Sequence, residues 1–395
     1  MWLISIILLL FIEVLTFLIL KEHLSGRSKN IYYLSLSINF FLSIWFWFML
    51  IKVALFRGFF DEPAHITAIM NQMGLVCGII FPRIVLIVLH YLGKLLKLRK
   101  GGYIPWLTRT GFIIATLISF AVASATFHGR YNLKKENVVL RINELSPGLD
   151  GFKIVQISDL HLSSFYKHDS FLKEIVDTIN ACRPDIIINT GDFITFGWRE
   201  FNSFDTILSK EKSRYGNFAV LGNHDMGTYF PGATEADMQA IINKVDTMMT
   251  ASGYRVLNNE SVMLDIRGSK LEITGIRTSG RHFQITESDP LKALLPNDTA
   301  DFKILLSHDP NQWDRDVVGR TDINLTFAGH THGMQMGIVT NKFRWSPAQY
   351  FYSRWNGLYS KTGQYIYVNR GLGVLAVPFR IWMPPEITVL TLISG

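Results

Sequence analysis

Read only for apolar and polar positions, the chain changes character near residue 130. Before that point four long apolar stretches run from Met1 to Leu20, Ile31 to Phe56, Ala64 to Leu92 and Leu107 to Phe127. A bilayer span needs about 20 apolar residues, and the third stretch has length left for an interfacial turn. The first is interrupted only by Glu13. It lacks the charged start, short core and small-residue cleavage site of a secretory signal, so a retained helix is expected. After Asn132 the runs shorten. Val138 to Ile142 reads as a strand before a Pro147-Gly148 turn, and Phe171 to Ala181 and Glu235 to Ala251 as surface helices. Ser261 to Ile266, Leu271 to Ile276, Gln364 to Asn369 and Ile387 to Ile393 read as strands of a second sheet. The expectation is a four-helix transmembrane domain over 1–128 and an α/β domain over 129–395.

Within the second region one pattern recurs: an apolar run that ends in potential ligands. Lys153-Ile-Val-Gln-Ile-Ser-Asp-Leu-His161 is followed by runs ending at Asp192, at Gly222-Asn-His-Asp225, at Ser307-His-Asp309 and at Gly329-His-Thr-His-Gly333. On an extended strand Asp159 and His161, two residues apart, point the same way. Polar residues gathered at the carboxyl ends of apolar strands mark ligand sites in open sheets. A single Asp or His at a strand end is most often a turn former, but five ordered ends together are not explained that way. Carboxylates, imidazoles and one amide suit hard to borderline divalent metals. The lack of thiolates argues against structural zinc and iron–sulfur chemistry.

The order Asp-x-His, Gly-Asp, Gly-Asn-His-Asp, a lone His and Gly-His-x-His resembles the calcineurin-like metallophosphoesterases, from about Asn132 onward. Gly329-His-Thr-His-Gly333, Asn369-Arg-Gly-Leu-Gly373 and Pro385-Glu-Ile387 are most similar to the membrane-associated bacterial branch. The resemblance implies two β-sheets packed face to face and flanked by helices. It implies that Asp159, His161 and His332 hold one metal, that Asn223, His308 and His330 hold the other, that Asp192 bridges them and that His224 is catalytic. Manganese is the first choice of metal, with iron, zinc or magnesium as alternatives. Two cations about 3.5–4 Å apart activate a shared water and neutralise phosphoryl oxygens. A nearby histidine serves the departing oxygen. Two departures from the family stand out. Asp192 is followed by Phe193, Ile194 and Thr195 rather than a second carboxylate, leaving Asp225 or a backbone group to orient His224. Phe196 stands where phosphoprotein phosphatases carry arginine, which disfavours that substrate class.

Composition adds the membrane and excludes nucleic acid. Hydrophobic residues make up 48% of 395 positions, concentrated at the front. The formal charge of +7 includes no basic run interleaved with aromatics. Lys21, Arg27 and Lys29 follow the first span, and Lys94, Lys97, Arg99 and Lys100 the third, whereas the middle loop has Arg57 against Asp61 and Glu62. The first and third loops are therefore expected inside, and the catalytic domain on the periplasmic or extracellular side of the cell membrane. Arg130, Lys134 and Lys135 oppose that orientation. Cys77 and Cys182 lie in separate settings and form no disulfide. Glu13, Arg83 and His90 fall within apolar spans. The expectation is that Glu13 and His90 sit near interfaces and that Arg83 faces another helix after Pro82. His168 and His282 belong to no motif and read as surface residues.

Arg370 has two readings, a bidentate donor to substrate phosphate or an ordinary surface ion pair. Phe343 to Tyr359 gathers Trp345, Tyr350, Phe351, Tyr352, Trp355 and Tyr359 with Arg344 and Arg354. That composition suits a membrane interface or a lipidic substrate, with core packing for about half of the rings. The combined expectation is a membrane-anchored phosphoesterase in which a metal-bound hydroxide attacks a monoester, diester or pyrophosphate of an amphiphile. Candidates are a phospholipid, an isoprenoid phosphate, or a nucleotide-linked lipid such as some relatives cleave. The outside location argues against the last. The rival is a membrane sensory or binding protein whose metal domain is not catalytic.

Overall fold

A helix satisfies its own backbone hydrogen bonds, as an apolar segment in lipid must, and each of the four apolar stretches is helical. The computed structural model describes residues 2–26, 28–100, 105–278, 299–340 and 342–395. His282 lies outside them. Helices α1 (Trp2–Leu24) and α2 (Lys29–Ala54) are followed by α3 (Pro63–Leu75), a π turn at Val76–Ile80, α4 (Phe81–Lys100) and α5 (Pro105–Phe127). Four helical stretches, Ile4–Leu24, Lys29–Ala54, Pro63–Leu96 and Trp106–Tyr131, are long and apolar enough to cross a membrane. Pro82 has no N–H for the carbonyl four residues back. That carbonyl, of Gly78, accepts from Ser119 Oγ on α5 instead, at 2.8 Å.

Glu13 and Arg83 are partners within this helical set. Arg83 donates to Glu13 across α1 and α4, and its Nη2 reaches Asn39 Oδ1 and Ser43 Oγ on α2, both at 2.9 Å. Glu13 therefore faces a neighbouring helix rather than an interface, because an ionised group in an apolar setting is tolerated only when paired. His90 Nδ1 lies 3.1 Å from Thr108 Oγ1.

The chain divides into two units, and not by one cut. The helical unit comprises Met1–Gly58, Ala68–His128 and Ala376–Phe379, and the second comprises Phe59–Thr67, Gly129–Leu375 and Arg380–Gly395.

The second unit contains β1 (Lys134–Ile142), β2 (Lys153–Ile157), α6 (Asp169–Ala181), β3 (Ile186–Asn189), α7 (Asp205–Leu208), β4 (Asn217–Ala219), α8 (Glu235–Ala251), β5 (Tyr254–Val256), β6 (Glu260–Ile266), β7 (Ser269–Gly275), β8 (Phe302–Leu306), β9 (Leu325–Ala328), β10 (Ile338–Val339), β11 (Arg344–Trp345), β12 (Gly357–Lys361), β13 (Gln364–Val368) and β14 (Glu386–Ser394). They form two six-stranded mixed sheets, ordered β1-β14-β2-β3-β4-β5 and β12-β13-β9-β8-β7-β6, with β10 and β11 as a separate pair. The sheets meet in one apolar core, where Ile154, Ile186 and Phe218 of the first join Ile273, Ile304 and Phe327 of the second. The amphipathic helices α6 and α8 cover the other face of the first sheet with Leu172, Ile175, Val245 and Met249.

One strand was assigned to the wrong sheet. β14, expected in the second, runs parallel to β1 and antiparallel to β2 in the first. Its inner residues are buried on both faces, and an apolar run of that kind carries no signature of which partner it joins. The ligand-bearing strands β2, β3 and β4 belong to one sheet and β8 and β9 to the other, so the site is assembled where the two sheets' carboxyl ends meet.

Candidate metal centre

Each apolar strand stops just before its ligand. β2 ends at Ile157, and Asp159 and His161 follow with φ of 50° and 41°. They are gathered by left-handed turns and not by the pleat of an extended strand, which corrects the reason given above for their common direction. Asp192 (58°), His330 (70°) and His332 (49°) adopt the same region. Five of the seven expected ligands thus sit in a conformation that costs a non-glycine residue roughly 1–3 kcal/mol and persists where the surroundings over-determine it. Backbone bonds across the loops do this: Asp159 N–H donates to Gly191 O, His161 N–H to Asp192 O and Gly329 N–H to His308 O, at 2.9, 3.1 and 3.0 Å.

Two ligand clusters result. One atom each from Asp159, His161 and His332 lie within 4.8 Å of one another, and so do atoms of Asp192, His308 and His330. His161 Nε2 and His332 Nε2 are 3.1 Å apart, and His332 Nε2 is 3.3 Å from Asp159 Oδ1. In the second cluster His308 Nε2 is 3.0 Å from Asp192 Oδ2 and 3.2 Å from His330 Nδ1. Asp192 Oδ2 also lies 3.8 Å from His161 Nε2, which puts this carboxylate between the clusters. Asn223 Oδ1 is buried and has no hydrogen-bond partner among the described residues. Acceptors crowded against acceptors, and a buried amide oxygen with no donor among the described residues, are what a cation site requires. The donor set fits two divalent metals.

The outer nitrogens of the imidazoles are held in turn, which sets which nitrogen faces the metal. His308 Nδ1 donates to Thr190 O at 2.7 Å, His161 Nδ1 meets Thr195 Oγ1 at 3.2 Å, and His330 Nε2 lies 2.9 Å from the Tyr352 hydroxyl. Burial works against a charged His308, but the Asp192 carboxylate overrides it and lifts its pKa to about 10.

His224 is placed by Asp192 and Thr195. Its N–H donates to Asp192 Oδ1 at 2.9 Å, and its ring Nδ1 donates to Thr195 O at 2.7 Å. A carbonyl only accepts, so Nδ1 carries the hydrogen and Nε2 is left to exchange a proton. The ring stacks on Tyr229 at 4.2 Å, and burial holds its pKa below the usual histidine value. Of the two candidate orienters the backbone group is the one in place. Asp225 instead accepts the N–H groups of Asp192, Ile194 and Gly222 at 2.7, 3.1 and 2.9 Å.

Arg370 is buried and engaged. Its Nε pairs with Glu386 at 2.5 Å and its Nη2 with Glu136 at 2.7 Å, a buried pair rather than the surface one expected. Sequence reasoning missed Arg380. Fully buried, it donates to the carbonyls of Arg370, Gly371, Gly373 and Met383, and its Nη2 stands 3.4 Å from His332 Nδ1. It also missed Tyr352, Thr195 and Glu200. Glu200 Oε1 takes three successive N–H groups, of Thr195, Phe196 and Gly197. Burial nonetheless lifts its pKa to about 7. His168 is exposed, as expected.

The calcineurin-like phosphoesterase family model matches residues 152–334. A Bacillus subtilis protein, "Uncharacterized metallophosphoesterase YkuE", is 34% identical over 253 residues, covering 62% of this chain and 81% of that protein. The chain belongs to the calcineurin-like phosphoesterase family. The phosphoesterase is also 28% identical over 304 residues to a Chlamydia muridarum protein named UDP-2,3-diacylglucosamine pyrophosphatase LpxG, covering 65% of this chain and 88% of that one. A Danio rerio transmembrane protein with metallophosphoesterase domain is 27% identical over 314 residues, 77% of this chain and 68% of that protein. The phosphoesterase is thus a metal-dependent hydrolase of phosphoric esters, and the two ligand clusters agree with the family's dinuclear centre.

Proposed function

We propose that this phosphoesterase is anchored in the cell membrane by its four apolar helices and hydrolyses a phosphoester or pyrophosphate of an amphiphilic substrate. Asp159, His161 and His332 would hold one divalent cation, Asn223, His308 and His330 the second, with Asp192 shared. Bound there, two such cations supply charge for the phosphoryl oxygens and acidify a shared water. The chain's own groups do the rest. Asp192 fixes the spacing of the clusters and, through its Oδ1, the backbone of His224. His224 presents Nε2 and, once that nitrogen has taken a second proton from solvent, passes it to the departing oxygen and returns to the neutral ring. The reading rests above all on Asp192 lying within 3.0 Å of His308 and 3.8 Å of His161, members of different clusters.

The lipidic character of the substrate is supported by the aromatic segment. Trp355 is buried and Tyr352 is bonded to His330, but Phe343, Tyr350 and Phe351 are exposed, and so is Trp382. Large apolar side chains left in the open mark interaction surfaces. The relatives named as diacylglucosamine pyrophosphatases act on an amphiphile, which agrees with this choice.

The test is the full-length protein in nanodiscs with manganese and an aryl phosphodiester. Turnover is expected for the wild type. Asp192→Ala and Asn223→Ala should lose at least about 100-fold together with bound metal measured by mass spectrometry. Equal turnover in the variants would end the proposal.

A further inference from the structure

The segment Phe59–Thr67, which links the second apolar helix to α3 and includes the start of α3, packs as part of the phosphoesterase unit, outside the region matched by the family. It meets Phe196 and Arg199 of the segment Thr195–Glu200. Asp61 is fully buried. Its carboxylate accepts the backbone N–H and the guanidinium Nη1 of Arg199, both at 3.2 Å. Gly197 is fitted to the same carboxylate: a Cβ there would stand 2.4 Å from Asp61 Oδ2. Phe60 packs edge-on against Phe196 at 5.0 Å, and the Arg199 guanidinium lies 3.8 Å over the Phe59 ring. Thr67 Oγ1 donates to Ser163 O at 2.9 Å, and Ser163 Oγ donates to Glu200 at 2.8 Å. Glu200 in turn gathers the N–H groups of Thr195, Phe196 and Gly197.

Thr195 is the residue these contacts immobilise, and both of its polar side and main chain oxygens face the reaction centre. Its carbonyl takes His224 Nδ1 at 2.7 Å and its hydroxyl meets His161 Nδ1 at 3.2 Å. We infer that the inter-helix loop is a positioning element for the reaction. Asp61, gripping Arg199 and lying against Gly197, holds in place the turn whose N–H groups Glu200 gathers, and with it the Thr195 carbonyl that aims His224 Nε2 at the leaving oxygen. Gly-Asp is followed here by Phe-Ile-Thr and not by a second carboxylate, and a carbonyl on a loop does the orienting. A carbonyl is only as well placed as its loop, and a neutral partner adds no charge to compensate for misalignment. This inference rests on the role proposed for His224.

The test uses manganese-loaded, full-length protein in nanodiscs and two diesters that differ only in leaving group, p-nitrophenolate and unsubstituted phenolate. A group that protonates the departing oxygen matters more for the poorer leaving group. His224→Ala should therefore lose about 100-fold in kcat on the phenyl ester and much less on the nitrophenyl ester. Asp61→Ala should reproduce that asymmetry at about tenfold, with KM and bound metal unchanged, and Asp61→Asn should recover part of it. Combined with His224→Ala, Asp61→Ala should cost nothing further, as expected of residues acting in one chain of contacts. Equal losses on both esters, unaltered kcat on both, or additivity with His224→Ala would overturn the inference. If His224→Ala itself shows no asymmetry, it is the role of His224 that fails. Should Asp61→Ala not fold, Gly197→Ala displaces the same carboxylate without removing it and is judged by the same outcomes.

Discussion

At the scale of single residues, the side chains that the fold gathers into the two candidate clusters were readable because metal chemistry draws on a few residue types. The residues that hold the ligands were not. Arg380 and Thr195 act on or through backbone carbonyls, which have no residue signature, and Tyr352 lay in an aromatic segment whose rings divide between core, site and surface. Arg380 is the sharpest case. A buried guanidinium with four carbonyl partners closes the Arg370–Met383 loop behind His332, and burial, partly countered by Asp159, lowers its pKa to about 9. Removing a donor that buried carbonyls depend on costs about 1–3 kcal/mol for each acceptor left unsatisfied. Arg380→Met should therefore lower the thermal midpoint of the phosphoesterase unit and reduce metal bound by Asp159, His161 and His332. A midpoint and metal content equal to wild type would show the cation to be dispensable. Glu211 tests the opposite situation, a buried acid. Its carboxyl takes one hydrogen bond among the described residues, from the Tyr254 hydroxyl, and burial lifts its pKa from 4.5 to about 8. The folded protein thus holds this proton through a pH range where the unfolded chain has lost it, and stability falls as pH rises from 4.5 to about 8. Each unit is worth ~1.4 kcal/mol. Glu211→Gln, neutral throughout, should flatten that decline in thermal unfolding measured between pH 5 and 9, and a parallel pH profile in wild type and variant would refute it.

At the scale of elements, helices α6 and α8 were read from periodicity almost to the residue, because a one-faced helix carries its own pattern. Sheet membership was not legible for β14, and the two-residue strands β10 and β11 were too short for any period to register. The turns that follow the ligand strands were misread as extensions of them. Sterically these turns are set from outside, by chain segments remote in sequence. Gly371, at φ 73°, shows how closely: a Cβ would lie 2.7 Å from Asp159 Cβ. An alanine there meets both a disfavoured backbone conformation and a collision with the first ligand. Gly371→Ala should reduce metal at the Asp159 cluster while the Asp192, His308 and Asn223 cluster stays loaded, so that mass spectrometry finds about one metal per chain where the wild type holds two. Full occupancy in the variant would show that Asp159 is not held by that loop.

At the scale of the whole molecule, the change near residue 130 from long apolar stretches to short runs was legible in the hydrophobic pattern, and the phosphoesterase in the order of its motifs. What the pattern hid was that nine residues from amid the helices, Phe59–Thr67, comprising a link and the start of α3, fold with the phosphoesterase unit. That membership bears on topology without reference to either end of the chain. Between Asp61 and the second unit's Arg199 lie two apolar stretches, Pro63–Leu96 and Trp106–Tyr131. If both cross the bilayer, Asp61 before them and the strands after them face the same side, as one folded unit requires. Were only one to cross, Asp61 and Arg199 would be separated by a membrane. The loop carrying Lys94, Lys97, Arg99 and Lys100 then faces the opposite side, and so does the one carrying Lys21, Arg27 and Lys29 if Lys29–Ala54 also crosses; the positive-inside rule predicts that this side is the cytoplasm. A periplasmically active phosphatase reporter fused after Gly395 should be active, and a cysteine introduced at exposed Phe59 should react with an impermeant maleimide in whole cells once Cys77 and Cys182 are replaced. Labelling at residue 59 with a silent reporter at Gly395 would break the shared side and the four-crossing arrangement with it, whereas an active cytoplasmic reporter and no labelling would keep the parity and reverse the orientation.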